Sequence, residues 1–199
     1  MKSNVCKIEK GTKDLNAILR ESEKVAVYNE LDHKQTLQLR LICEEIDGML
    51  PKIINDFDGD FWIEFENSVC KVNVSIDFPL FTAEKKEALV AFAKNKKNAA
   101  QSGISGKIRS AVENFFLDAE NIQSYAISSN MVRMATGYGE DMNYSYYWSL
   151  ENYKNDVQKE KEPTAWDELE KSVVASIADD VIVGVKGKHA DIIVVKKFA

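Results

Sequence analysis

The chain has 199 residues, with 26 Lys and Arg against 32 Asp and Glu, a net charge of −6. At roughly 150 residues per domain this is one domain, 1–199, or one domain carrying a large insertion. An acidic total excludes a protein that coats a nucleic-acid backbone, because that affinity comes from Lys and Arg neutralising phosphates. No stretch approaches the roughly 18 apolar residues of a membrane span, and residues 1–10 lack an apolar signal core, so the expectation is a cytoplasmic protein with neither nucleic-acid nor membrane partners. Three widely spaced cysteines, Cys6, Cys43 and Cys70, each have apolar neighbours. Such usage predicts reduced, packed thiols and no metal clip.

Residues 5–8 predict a short strand. Gly11 and Thr12 then open a helix whose apolar residues Leu15, Ile18, Leu19, Val25 and Ala26 recur at helical spacing. Asp32 reads as the N-cap of a second helix, with Gln35 completing a capping box. The stripe of that helix runs Leu39, Ile42, Cys43, Ile46, Met49 and Leu50, with Arg40, Glu44, Asp47 and Gly48 off it, and the helix should fade by Asn55. After the Asp58–Gly59 turn, Phe61, Ile63 and Phe65 alternate with Trp62, Glu64 and Glu66. Asn67 and Ser68 reverse the chain, and Cys70, Val72, Val74, Ile76 and Phe78 alternate with Lys71, Asn73, Ser75 and Asp77. This pattern predicts an antiparallel hairpin with one apolar face.

Pro79 ends the strand, and Thr82 caps a helix reaching about Lys94. Residues 94–109 carry five positive charges and no acid, with Gly103 and Gly106 ahead of a helix bearing Ile108, Val112, Phe115 and Phe116. Residues 125–153 hold six of the seven tyrosines. The polar run 156–163 reads as a linker. Thr164 restarts helix as an N-cap, with Trp166, Leu169, Val173 and Ile177 on its stripe, and two strands follow, 181–186 and 190–197, joined through Gly187, Lys188 and His189. The order predicts an α+β domain: a two-layer α/β sandwich in which a mixed, mostly antiparallel sheet is covered by helices on one face, with a helical and aromatic insertion at 79–163.

Three stretches, "LQLRLICEEIDGML", "GDFWIEFENSVCKVNVSIDF" and "WDELEKSVVASIADDVIVGVKGKHADIIVVKKF", in this order resemble the gyrase, histidine-kinase and mismatch-repair ATPase superfamily (the Bergerat fold), and within it the anti-sigma-factor serine kinases. The resemblance covers residues 1–78 and 164–199 and implies ATP and Mg²⁺ as ligands, with the insertion replacing the nucleotide lid. It implies that Glu44 polarises the attacking group and that Asp77 reads the adenine. Where the family has a Mg²⁺-ligating Asn four residues after the glutamate, this chain has Gly48, which offers no side-chain oxygen. Phe78 and Pro79 stand where a glycine follows the Asp, and Thr164, Ala165 and Trp166 replace the glycine-rich turn before the last helix. Gly103, Gly106 and Lys107 offer a substitute phosphate cradle of backbone N–H groups and positive charge.

Each of these residues also has an ordinary reading. A carboxylate just off a helix stripe, such as Glu44, is usually solvated or salt-bridged; Asp77 alternates onto the polar face of its strand; a basic glycine-containing loop is usually a solvated connector. The tyrosine-rich segment reads as a packed insertion or a protein interface, and His33 and His189 as surface histidines without a metal. Taken together these readings predict a regulatory protein that acts by binding another protein, a second copy of itself included, with weak or lost ATP binding and no cofactor required. The alternatives are an active Mg-ATP-dependent serine kinase or ATPase, and a binder of a phosphorylated small molecule through the basic loop.

Overall fold

In the computed structural model, residues 1–9, 15–54, 56–77, 146–160, 172–186 and 188–198 are described. The elements in chain order are β1 (Cys6–Glu9), α1 (Leu15–Tyr28), α2 (His33–Ile53), β2 (Asp58–Glu66), β3 (Val69–Asp77), β4 (Tyr146–Ser149), α3 (Leu150–Glu160), α4 (Val173–Ile177), β5 (Asp180–Lys186) and β6 (His189–Lys197). The six strands form one sheet in the order β1-β2-β3-β6-β5-β4. All five pairings are antiparallel, where a mixed, mostly antiparallel sheet was expected. The two hairpins meet at the centre: β3 runs against β6 from the Val69–Lys197 pair to the Asp77–His189 pair.

Period-two alternation builds the core. Phe61, Ile63 and Phe65 on β2, Cys70, Val72, Val74 and Ile76 on β3, Ala190, Ile192 and Val194 on β6, and Val181, Val183 and Val185 on β5 are buried in one continuous cluster. Against them pack Ile18, Leu19 and Val25 of α1, the predicted stripe of α2 and Val174 and Ala175 of α4. One apolar stripe per helix is what a single covered sheet face demands. The capping box of α2 is present: the Gln35 N–H donates to Asp32 Oδ1 at 2.8 Å and the Asp32 N–H to Gln35 Oε1 at 3.0 Å. Asn67 and Ser68 have φ of 49° and 62°, the left-handed pair of a two-residue hairpin turn matched to strand twist.

Asp58 and Gly59, expected to turn the chain, are instead the first residues of β2, paired with Glu9 and Ile8 of β1, and three further expectations are corrected. First, the closing helix is not continuous from Thr164 to Ile177. Ser172 is extended, at φ −89° and ψ 121°, and its Oγ accepts the Ala175 N–H, so it starts the separate short helix α4. A serine hydroxyl that satisfies a free N–H competes with helix continuation. Second, helix α3 runs through the first part of the presumed 156–163 linker, because Leu150 and Tyr153 anchor it to the core. Third, residues 146–149 of the insertion are the β4 edge strand paired with β5. The rest of the insertion, the basic loop with Gly103, Gly106 and Lys107, and Thr164, Trp166 and Leu169 lie outside the described residues. Among the described residues no helix is long and apolar enough to cross a membrane.

The opposite sheet face has a charged perimeter and a closed centre. Asn73, Ile182 and Ile193 are buried there, while Asp58, Glu66, Asp77 and Lys197 at the strand ends are exposed.

Candidate functional site

The two residues that resemblance assigns to nucleotide chemistry are held on different layers. Glu44 sits on the flank of α2 facing α1, where Arg40 Nε donates to its Oε1 at 2.9 Å and Arg40 Nη1 reaches Glu23 of α1 at 3.6 Å. The (i, i+4) spacing brings Arg40 and Glu44 to one side of the helix. Gly48, one turn further, is exposed, and a Cβ placed on it would meet nothing within 4 Å. Asp77 ends β3 on the other face of the sheet, because its neighbour Ile76 points into the helix-covered core. The sheet therefore stands between Glu44 and Asp77.

Asp77 instead belongs to a polar cluster at one end of the far face. The β3–β6 register sets Ser75 opposite Asp191 and Asp77 opposite His189. His189 Nδ1 donates to Asp77 Oδ1 at 2.8 Å, and Nε2 lies 3.0 Å from Ser75 Oγ and 3.3 Å from Asp191 Oδ1. Burial opposes charging of the imidazole, but the hydrogen bonds and fields of the Asp77 and Asp191 carboxylates outweigh it and raise the His189 pKa above its ordinary 6.5. Sequence reading placed His189 in a turn, with no partner at metal-ligand spacing; it is the first residue of β6, and the register supplies its hydrogen-bonding partners. Two strand residues of the same parity on each of two paired strands carry the signal, but only the pairing register reveals it. His33 opens α2 as its first residue.

At the other end of the same face lies a cleft of about 410 Å³. Val69, Ile182 and Val195 line it together with Glu66, Glu151 and Lys197. Asp180 also lines it; burial raises its carboxyl pKa, while the backbone N–H groups of Glu151 and Val181, at 3.0 and 2.8 Å, pull the other way. On the helical side, Val27, Tyr28, Leu37 and Leu41 are exposed, Val27 by 80%.

The cysteines are thiols, as expected. Burial pushes Cys43 well above the usual thiol value and Cys70 up to about 12, so neither is a thiolate near neutral pH. Among the described residues no group of three or more His, Cys, Asp or Glu side chains is arranged to hold a metal. No family model, curated protein or solved structure matches this chain.

Proposed function

We propose that this chain is a regulatory protein on an ATPase-like α/β sandwich that acts by binding another protein, with ATP binding weak or lost. The observation that supports it is the separation of Glu44 and Asp77 by the sheet, each engaged by its own partner, Arg40 for one and His189 for the other. A phosphate-transfer site needs its acid, its metal ligand and its base-reading group converging on one cavity. Gly48 adds no oxygen for Mg²⁺ beside Glu44. Surfaces suited to a protein partner are present on both layers: the exposed Val27, Tyr28, Leu37 and Leu41 on the helices, and the cleft with Val69, Ile182 and Val195 on the sheet.

Isothermal titration with ATP, with and without Mg²⁺, tests the reading. The expected outcome is no Mg²⁺-dependent binding at micromolar ATP and no turnover, in the natural chain and in Gly48→Asn alike, because restoring one ligand does not bring Asp77 across the sheet. Micromolar Mg²⁺-dependent binding that disappears in Glu44→Ala or Asp77→Ala would promote the kinase reading instead.

A further inference from the structure

We propose that Ser75, His189 and Asp77 form a nucleophile–base–orienter array that makes Ser75 reactive toward small uncharged acyl esters. The proposal is independent of any nucleotide and rests on geometry at the β3–β6 strand ends. Ser75 Oγ is 3.0 Å from His189 Nε2, and His189 Nδ1 is 2.8 Å from Asp77 Oδ1. These separations lie within the reach that proton transfer from a nucleophile to a positioned base requires. Asp77 and Asp191 both only accept, and the shorter contact, 2.8 Å from Nδ1 to Asp77 against 3.3 Å from Nε2 to Asp191, favours the Nδ1–H tautomer of neutral His189, which leaves the Nε2 lone pair facing the Ser75 hydroxyl. The array is open to a reagent: the His189 side chain is 40% exposed.

The groups around His189 set when the array works. On β6, Asp191 Oδ1 stands 3.3 Å from Nε2 and accepts from it when the ring is protonated, which blocks the base. On β2, Asp58 pairs in register with Asp77 and Asp60 with Ser75, and Lys7 of β1 binds Asp60 Oδ1 at 2.7 Å; on β5, Lys186 pairs with His189. Among the described residues, these four carboxylates against Lys7, Lys186 and the adjacent Lys188 favour an uncharged ester over an anionic one. His189 loses its blocking proton above its raised pKa, so Ser75 becomes reactive on the alkaline side of 6.5.

In the first step Ser75 Oγ bonds to the ester carbonyl carbon while its proton passes to His189 Nε2. The alcohol then leaves with that proton, and the acyl group remains on Ser75. A water, deprotonated by Nε2, attacks the acyl carbon and releases the carboxylic acid, restoring the serine. An alkyl fluorophosphonate stops after the first half: Oγ bonds to phosphorus, fluoride departs, and the proton goes to Nε2.

The test is fluorophosphonate labelling of the full chain from pH 6 to 9.5 with the adduct mapped by mass spectrometry, alongside hydrolysis of p-nitrophenyl acetate. The expected result is an adduct at Ser75 whose rate rises at least tenfold along a single alkaline limb. His189→Gln, which keeps a hydrogen-bonding side chain, should slow labelling about a hundredfold or more. Asp191→Asn should move the limb to lower pH, a shift that a merely structural carboxylate does not produce. Absence of a Ser75 adduct at every pH in protein whose circular dichroism remains native would overturn the proposal. So would labelling that His189→Gln leaves unchanged.

Discussion

Two glycines separate what a side chain contributes from what the backbone tolerates. Gly48 lies on the open face of α2 with nothing within 4 Å of an added Cβ, so Gly48→Ala should stabilise the chain by about 1 kcal/mol through helix propensity alone. At Gly59 on β2 an added Cβ meets the Ser75 carbonyl oxygen and comes within 2.7 Å of Ile76 Cγ2, both on the neighbouring strand. Gly59→Ala should therefore cost about 1–3 kcal/mol. Denaturant midpoints of the two variants, moving in opposite directions, check both. Glu21 shows the opposite kind of constraint, a buried charge among the buried residues of α1. Its carboxylate accepts from the Asn4 backbone N–H at 3.0 Å, Asn4 Nδ2 at 3.2 Å and Lys24 Nζ at 2.6 Å. Burial would raise its pKa, yet the hydrogen bonds from Lys24 and Asn4 prevail and hold it below 4.5. A folded pKa below the unfolded one means stability that is present above about pH 4.5 and lost as pH falls through the folded value. Glu21→Gln should lower stability at pH 7 and flatten its loss between pH 5 and 3, read from urea melts across that range.

At the scale of elements, short polar residues place the boundaries. Asp32 holds the start of α2 through both bonds of its capping box, and Asp32→Ala should cost about 1 kcal/mol, seen as a lower thermal midpoint. Ser68 is strained at φ 62°, a conformation in which glycine has no Cβ penalty. Ser68→Gly should accordingly leave stability equal or improved, whereas a β-branched residue there should reduce it, as hairpin-turn sterics dictate. Serines also place the ends of α3 and α4: Ser149 Oγ receives the Asn152 N–H at 3.2 Å, and Ser172 Oγ receives that of Ala175 at 3.3 Å. Neither serine is followed three residues on by Glu or Gln, so neither carries the capping-box signature that made Asp32 legible in the sequence.

For the whole molecule, the antiparallel order puts β3 and β6 at the centre and the four-residue strands β1 and β4 at the edges. Central strands open only with the global unfolding of the sheet, whereas edges fray. Native-state hydrogen exchange should find the slowest amides in β3 and β6, notably around the Val72–Val194 and Val74–Ile192 pairs, and faster exchange in β1 and β4. Equal protection across all six strands would contradict this sheet order.

Period and punctuation were legible because they are local. The stripe of α2, the Asp32 cap, the Asn67–Ser68 turn and the β2–β3 hairpin each depend on residues a few positions apart, and 3.6- and 2-residue periods write the buried face directly into the chain. What joins those pieces is not local. That β3 pairs with β6 across more than a hundred residues, that Glu21 anchors the segment before β1, and that Ser75, Asp77, His189 and Asp191 converge are consequences of strand register. Register is decided by which apolar faces can be buried together, and a shift of one residue would turn Ser75 and Asp77 into the core and Val74 and Ile76 out of it. The same alternation that made Asp77 readable as a polar-face residue also set it on the far side of the sheet from Glu44, because the hairpin must turn Ile76 into the helix-covered core.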